Sequence, residues 1–252
     1  MKFSWKIIGI IIGCLAVTSY IIAITVIFSG KSAKEICRGV NIVVTDSASA
    51  NFVTSYEIRQ LLKESGISMK GVIMDRLHLS QINRLLSNNS YINQVECYKT
   101  LDNKINIRVS QREPIAEVMG ITNYYIDNKL NKLPVLRGKP AFVPIISGAV
   151  SDTFLQRDLF PFIQFIHQHT FWNAQIEQIY LPSDSIVQLV PRLGDCIINL
   201  GTIDRYEQKM NKLMALYQHA LNQVGWNRYS YIDLQYTNRV ICTKRNLEQQ
   251  SK

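Results

Sequence analysis

The side chains best suited to acid–base, nucleophilic or metal chemistry are few in this chain, and their spacing does not serve that chemistry. The four histidines are His78, His167, His169 and His219, and none sits in an HExxH pattern or beside a carboxylate at ligand spacing. His167 and His169 are separated by one residue, which on a helix sends the two rings to different faces. The five cysteines, Cys14, Cys37, Cys97, Cys196 and Cys242, are far apart and form no CxxC pair, so a metal centre is not expected. Cys14 lies within an apolar run. The other four read as isolated thiols in apolar strands, a disulfide in an oxidising compartment being the alternative. There is no GxSxG elbow, phosphate-binding Walker loop or GxGxxG turn. Asp204 and Glu207 fall at the start of a helical pattern, where negative charge suits the helix dipole without any active site. The expectation is a protein that is not an enzyme and carries no catalytic residue, metal, cofactor or small-molecule substrate. An active site assembled from scattered residues is defined by geometry rather than by order, and remains the alternative.

What must be positioned, then, is a surface, and the elements that position it begin with a membrane anchor. Ile7 to Phe28 are 22 residues without a charge. As a helix they reach about 33 Å, enough to cross a hydrocarbon core. A cleaved signal has a shorter apolar core ending at small residues, whereas here Lys31 and Lys34 occupy the flank. Gly9 and Gly13 form a GxxxG pattern that lets another helix approach closely, although glycine is also common in membrane helices generally. Lys2 and Lys6 on one side and Lys31, Lys34 and Arg38 on the other leave the orientation undecided by charge. The net charge of +9 reads first as a solvated surface with a positive excess, which also gains some attraction to anionic headgroups beside a membrane. The cations are dispersed, with no basic stripe interleaved with aromatics, so nucleic acid is not an expected partner.

The organisation that follows is a tail at 1–6, a transmembrane helix at 7–28, a linker at 29–36, a first domain at 37–112, a second at 113–245 and a tail at 246–252. The first domain opens with a strand at Gly39–Val44. A helix begins at the capping pair Thr54 and Glu57 and stops at Gly66. A second helix covers Ser80–Leu86. Strands at Gln94–Leu101 and Lys104–Ser110 are joined by a two-residue turn at Asp102-Asn103. The order is β-α-α-β-β. The second domain is β-rich. Strand signals occur at Thr122–Lys129, Val143–Gly148, Ile176–Leu181, Ile186–Val190 and Cys196–Asn199, and an aromatic-rich helix at Phe154–His169. A long helix runs over 203–224, with Ile203, Tyr206, Met210, Leu213, Tyr217, Ala220 and Val224 on one face, Thr202 as cap and Gly225 as stop. The chain closes with a strand to Tyr236, a turn at Thr237-Asn238 and a last strand at Val240–Lys244. A terminal strand is a natural sheet edge, whose unpaired N–H and C=O groups are open to another chain. The fold class is α+β.

Several segments together resemble the FtsQ/DivIB family of bacterial cell-division proteins. They are Ile105-Asn106-Ile107-Arg108-Val109-Ser110-Gln111-Arg112-Glu113-Pro114-Ile115-Ala116, then Val143-Pro144-Ile145-Ile146-Ser147-Gly148, then Leu200-Gly201, and finally Tyr231-Ile232-Asp233-Leu234-Gln235-Tyr236-Thr237-Asn238-Arg239-Val240. The chain departs at Gln235, where arginine is common, and at Asp127-Asn128-Lys129-Leu130, which lacks the usual turn glycine. The resemblance implies a POTRA domain followed by a β domain. It also implies an inner-membrane, single-pass topology with a cytoplasmic N-terminus, a periplasmic bulk and a place at the division septum. It implies a non-enzymatic scaffold binding FtsB/DivIC-like and FtsL-like division proteins. The contact would lie at Tyr236, Asn238, Arg239, Val240, Ile241 and Cys242, unless Lys244 and Arg245 guard the edge against pairing. The alternatives are a POTRA-containing module of protein translocation or envelope assembly, and an anchored periplasmic cell-wall enzyme.

Overall fold

The computed structural model describes residues 5–29, 35–45 and 52–245. Most of the expected linker (30–34), the start of the expected N-terminal tail and the whole C-terminal tail lie outside the described residues. The apolar run forms α1, Trp5–Ser29, 25 residues of continuous helix. Among the described residues no helix is long and apolar enough to cross a membrane. The hydroxyls of Thr18 and Ser19 donate back to carbonyls within α1, to Cys14 and Ala16 at 3.0 and 2.9 Å. Such back-bonding spares each hydroxyl an outside partner.

Beyond α1 the chain divides into two compact units. One takes in residues through Val43, Ser55–Leu86 and Val95–Arg108; the other takes in Val44–Thr54, Ser87–Gln94 and Val109 onward. The strands β1 (Gly39–Thr45), β2 (Ile92–Lys99) and β3 (Lys104–Gln111) form a sheet in the order β1-β3-β2. Between β1 and β2 come α2 (Ser55–Glu64), a short 3-10 turn (Met74–Arg76) and α3 (Leu79–Ser87). This is the β-α-α-β-β order read from the sequence. Ile58 and Leu62 of α2, Ile82 and Leu86 of α3, and Ile105 and Ile107 of β3 are all buried. The 3.6-residue and 2-residue periods thus supply the same core. Gly66 ends α2 at φ +71°: its N–H reaches Lys63 O, and that of Ile67 reaches Leu62 O, each at 3.0 Å. This is the double bond of a Schellman cap, which needs a left-handed residue. Glu35 and Ile36, at the end of the expected linker, already belong to the fold. Glu35 O accepts Met74 N at 2.8 Å, and Ile36 bridges Ile73.

The β2–β3 turn differs from the two-residue form expected. Thr100 N donates to Lys104 O at 2.9 Å, Asn103 N donates to Thr100 O at 3.1 Å, and Asn103 has φ 60°. Leu101 therefore joins Asp102 and Asn103 in a three-residue loop, the form in which a left-handed residue completes a bulge.

The second unit carries a mixed nine-stranded sheet in the order β12-β11-β10-β9-β8-β7-β4-β5-β6. Its strands are β4 (Pro114–Val118), β5 (Tyr124–Asp127), β6 (Lys132–Pro134), β7 (Ile145–Gly148), β8 (Ile176–Ser183), β9 (Ile186–Pro191), β10 (Ile197–Gly201), β11 (Tyr229–Asp233) and β12 (Ile241–Lys244). The expected meander β8-β9-β10 is antiparallel, whereas β7–β8 and β10–β11 are parallel. These two parallel pairs are joined by helical crossovers. One comprises α4 (Asp152–Phe154), a π turn (Leu155–Leu159), α5 (Phe160–Gln168) and α6 (Thr170–Gln175). The other comprises α7 (Tyr206–Leu216), a π turn (Tyr217–Leu221) and α8 (Asn222–Val224).

The second crossover corrects two expectations. Thr202 does not cap the helix. The helix begins at Tyr206 behind Arg205, whose φ is 52°, and Thr202 donates instead to Asp204. The buried Lys209 also reaches Thr202 O, at 2.5 Å. The apolar stripe changes phase as well. Met210, Leu213 and Tyr217 are buried as the spacing predicts, but the π turn adds a residue, so Leu221 is buried and Val224 is left exposed. These side chains pack with Phe162, Ile163 and Ile166 of α5 on the apolar face of the sheet. Trp172 meets Tyr217 edge to face at 5.8 Å.

Candidate functional site

With no catalytic cluster in the sequence, the candidate site is the open end of the large sheet. β11 alternates apolar and polar positions, so Ile232 turns into the core. After Asp233 the chain leaves the ladder, crosses an exposed turn and returns as β12. The return register is Ile232↔Cys242 and Asp233↔Ile241. β12 is terminal in the sheet order, so alternate main-chain groups along it face away from β11.

The six residues expected to form the contact divide by this alternation. Val240 and Cys242 pack against the core. Ile241 is 41% exposed and Tyr236 44%. Asn238 and Arg239 are exposed in the turn, and the Arg239 guanidinium lies over the Tyr236 ring at 4.9 Å. A cation on an aromatic face holds both flat surfaces in place. The geometry therefore brings Tyr236, Arg239 and Ile241 to the surface and assigns Val240 and Cys242 to support. Gly9 and Gly13 lie in α1, where an added Cβ would meet nothing within 4 Å among the described residues.

Several contacts fix this turn, and Lys212, which makes two of them, carries no sequence signal of its own. Lys212 of α7 donates to the carbonyls of Leu234, at 3.2 Å, and of Tyr236. Burial, then the neighbouring Lys209 and Arg205, push its ammonium below the usual lysine range. Gln235 lies over Gly201, where a Cβ would come within 2.4 Å of its side chain. Asp233 Oδ1 accepts from Gln235 N at 3.0 Å, and Leu234 N donates to Asn199 O at 2.9 Å.

Arg245, expected as a possible edge guard, is engaged within the second unit. Its guanidinium turns to Asp195, with Nη1 at 2.8 Å from Oδ2, and its N–H bonds Arg228 O at 3.0 Å. That pins the end of β12 and leaves Lys244 as the exposed cation there. All five cysteines are free thiols. Burial pushes the Cys97 and Cys196 thiols up to about 11 and that of Cys242 upward, so they stay protonated and unreactive at neutral pH. His169 Nδ1 accepts Trp172 N at the start of α6, a structural use for one of the two close histidines.

Comparison with known proteins places these elements. A family model described as FtsQ/DivIB, C-terminal related, matches residues 113–243, from just before β4 into β12. The chain belongs to the FtsQ/DivIB family. A POTRA-like domain model matches residues 35–110, the stretch that holds β1 to β3. One relative is the Cell division protein FtsQ of Geotalea daltonii, 24% identical over 204 residues, covering 75% of this chain and 73% of the relative. The FtsQ/DivIB resemblance read from the short segments above is thus established for the chain.

The segment Gln111-Arg112-Glu113-Pro114, quoted for that resemblance, has a visible purpose within the second unit. Gln111 Oε1 accepts Val53 N at 2.7 Å, and Arg112 Nη1 meets Asp127 Oδ2 at 3.0 Å. Burial pushes the Asp127 carboxyl up, but bonds from the Asn131 side chain and main chain, Lys129 N and Arg112 outweigh it and hold the group below the usual range. Asp127 thereby organises the turn in which Leu130 adopts φ 62°.

Proposed function

We propose that this chain is a membrane-anchored, non-enzymatic scaffold of the bacterial cell-division complex that recruits FtsB/DivIC-like and FtsL-like proteins by strand addition along β12. The family relationship supports the role in division. The observation that carries the mechanism is the outer side of β12, which no strand among the described residues pairs with, flanked by the exposed Tyr236–Arg239 stack and Ile241. Main-chain pairing along such a rim supplies affinity, and the alternating side chains supply selectivity.

In the same reading α1 is a single span with its N-terminus in the cytoplasm and the bulk of the chain in the periplasm at the septum. What supports the span is the uncharged run of 22 residues from Ile7 to Phe28, and the back-bonded hydroxyls suit a hydrocarbon surrounding. Gly9 and Gly13 are its helix-contact face, residues 37–112 the POTRA domain and residues 113–245 the partner-binding domain.

The test is partner capture by the full chain carrying proline at Ile241 or at Cys242. Adjacent strand residues present their N–H groups to opposite sides, so one variant removes a donor to β11 and the other removes a donor to the partner. The expected result is loss of capture by the folded, outward-facing variant. Capture of FtsB-like and FtsL-like proteins at the unsubstituted level by both folded variants rejects strand addition. Accessibility labelling of single cysteines placed on either side of α1 in cells tests the topology.

A further inference from the structure

We infer that the first unit carries a second, independent docking groove, built to take an acidic, extended peptide segment of a partner as a fourth strand beside β1. β1 is a terminal strand of the three-stranded sheet, so its outer side is as open to pairing as that of β12. A groove of about 590 Å³ runs beside Gly39, Val40 and Ile42, and its other wall is α2 together with the loop that follows it. Its apolar floor includes the buried Leu62 and Met69. Around it stand the exposed cations Arg38, Arg59, Lys63 and Lys70, and among the described residues no acidic one lines it.

Three features define the occupant. An open edge offers alternate main-chain donors and acceptors to an extended chain, not to a helix or a compact ligand. An apolar strip beneath one side of that edge accepts every second side chain of an added strand. Four cations without a counter-charge in the lining select acidic residues at the remaining positions. A lipid surface would satisfy the cations but would leave the strand edge unpaired, which makes a peptide the better fit. The loop closes one end of the groove: Gly71 N donates to Cys37 O at 2.9 Å and Cys37 N donates to Val72 O at 2.8 Å. Pairing is therefore directed onto the part of β1 beyond Cys37.

The test uses the full chain in detergent and a fluorescein-labelled peptide that alternates glutamate with valine or isoleucine. The expected result is saturable binding that weakens about tenfold in the double variant Arg59→Glu, Lys63→Glu, both exposed positions on α2. The same peptide N-methylated at alternate amides should not bind, and hydrogen exchange over β1 should slow when the unmodified peptide is present. Proline at Ile241 should leave this binding unchanged, which separates the groove from the C-terminal rim. Undiminished binding by the charge-reversed chain or by the N-methylated peptide overturns the inference. So does the absence of peptide binding, including a result in which phosphatidylglycerol vesicles alone bind through the same cations.

Discussion

At one rim of the nine-stranded sheet, β6 spans three residues and ends in Pro134, which has no N–H to offer. The Pro134 carbonyl accepts the Tyr91 hydroxyl, while Lys132 is drawn to Asp152 at 3.1 Å and lies over the Tyr124 ring at 4.7 Å. At the other rim, β12 contains no proline, presents Ile241 to solvent and, among the described residues, is fastened along its inner side and at its Arg245 end. The same sheet thus has one rim made unattractive to further strands and one left available. Edges left open in this way attract other chains, so the asymmetry indicates where pairing is tolerated.

The largest expected effect is on the open rim. Proline at whichever of Ile241 and Cys242 faces outward should weaken partner binding by about 100-fold, since a lost bond and an unsatisfied group together cost about 2–3 kcal/mol. Calorimetric titration with the partner segment reads this out, with melting curves confirming that the fold is intact. At the closed rim, Asp127→Ala should destabilise the chain by about 3 kcal/mol in urea unfolding, because it leaves Arg112 without its buried partner. The native Asp127 carboxyl titrates below its unfolded value of about 3.9. Its stabilisation is therefore complete above that value and fades as pH falls through the lower native one. The wild-type stability should drop steeply on acidification below about pH 4, and the Asp127→Ala curve should be flatter there.

Lys212→Met tests what keeps the open rim in place. Losing the two carbonyl contacts should cost about 1–2 kcal/mol and speed hydrogen exchange around residues 234–240. Partner affinity should fall about fivefold if the turn is part of the contact. The smallest effect belongs to Tyr91→Phe, about 1 kcal/mol for the bond to Pro134 O. Burial, then the neighbouring Tyr125, raise the Tyr91 phenol to about 12. The unfolded phenol ionises near 10, so its stabilisation is present below about pH 10 and is lost as pH rises toward the native value. Unfolding between about pH 10 and 12 should be less pH-sensitive in the variant.

Much of the fold is legible in the sequence. The stripes of α2 and α3, the strict alternation of β3 and the stop at Gly66 are local, and local physics decides them. The elements that escaped are those whose reasons lie elsewhere in the chain. β4 is short and begins with proline, and becomes a strand because β5 and β7 flank it. The π turn at Tyr217–Leu221 is invisible to a 3.6-residue period and moves Leu221 inward. At the candidate site the edge position of β12 was legible from its place at the end of the chain, but the division between exposed and supporting residues was not.

The sequence by itself determined the apolar N-terminal stretch, the β-α-α-β-β order, the lack of a catalytic motif and the family likeness, because each depends on residue type and near-neighbour spacing. Only the tertiary structure decided that Arg245 turns to Asp195 and that Lys212 holds the Leu234 and Tyr236 carbonyls. It also decided that Ile241, rather than Cys242, meets solvent. Each of these joins groups distant along the chain, and which polar groups meet is set by how the helices and strands pack, not by any local preference of the backbone.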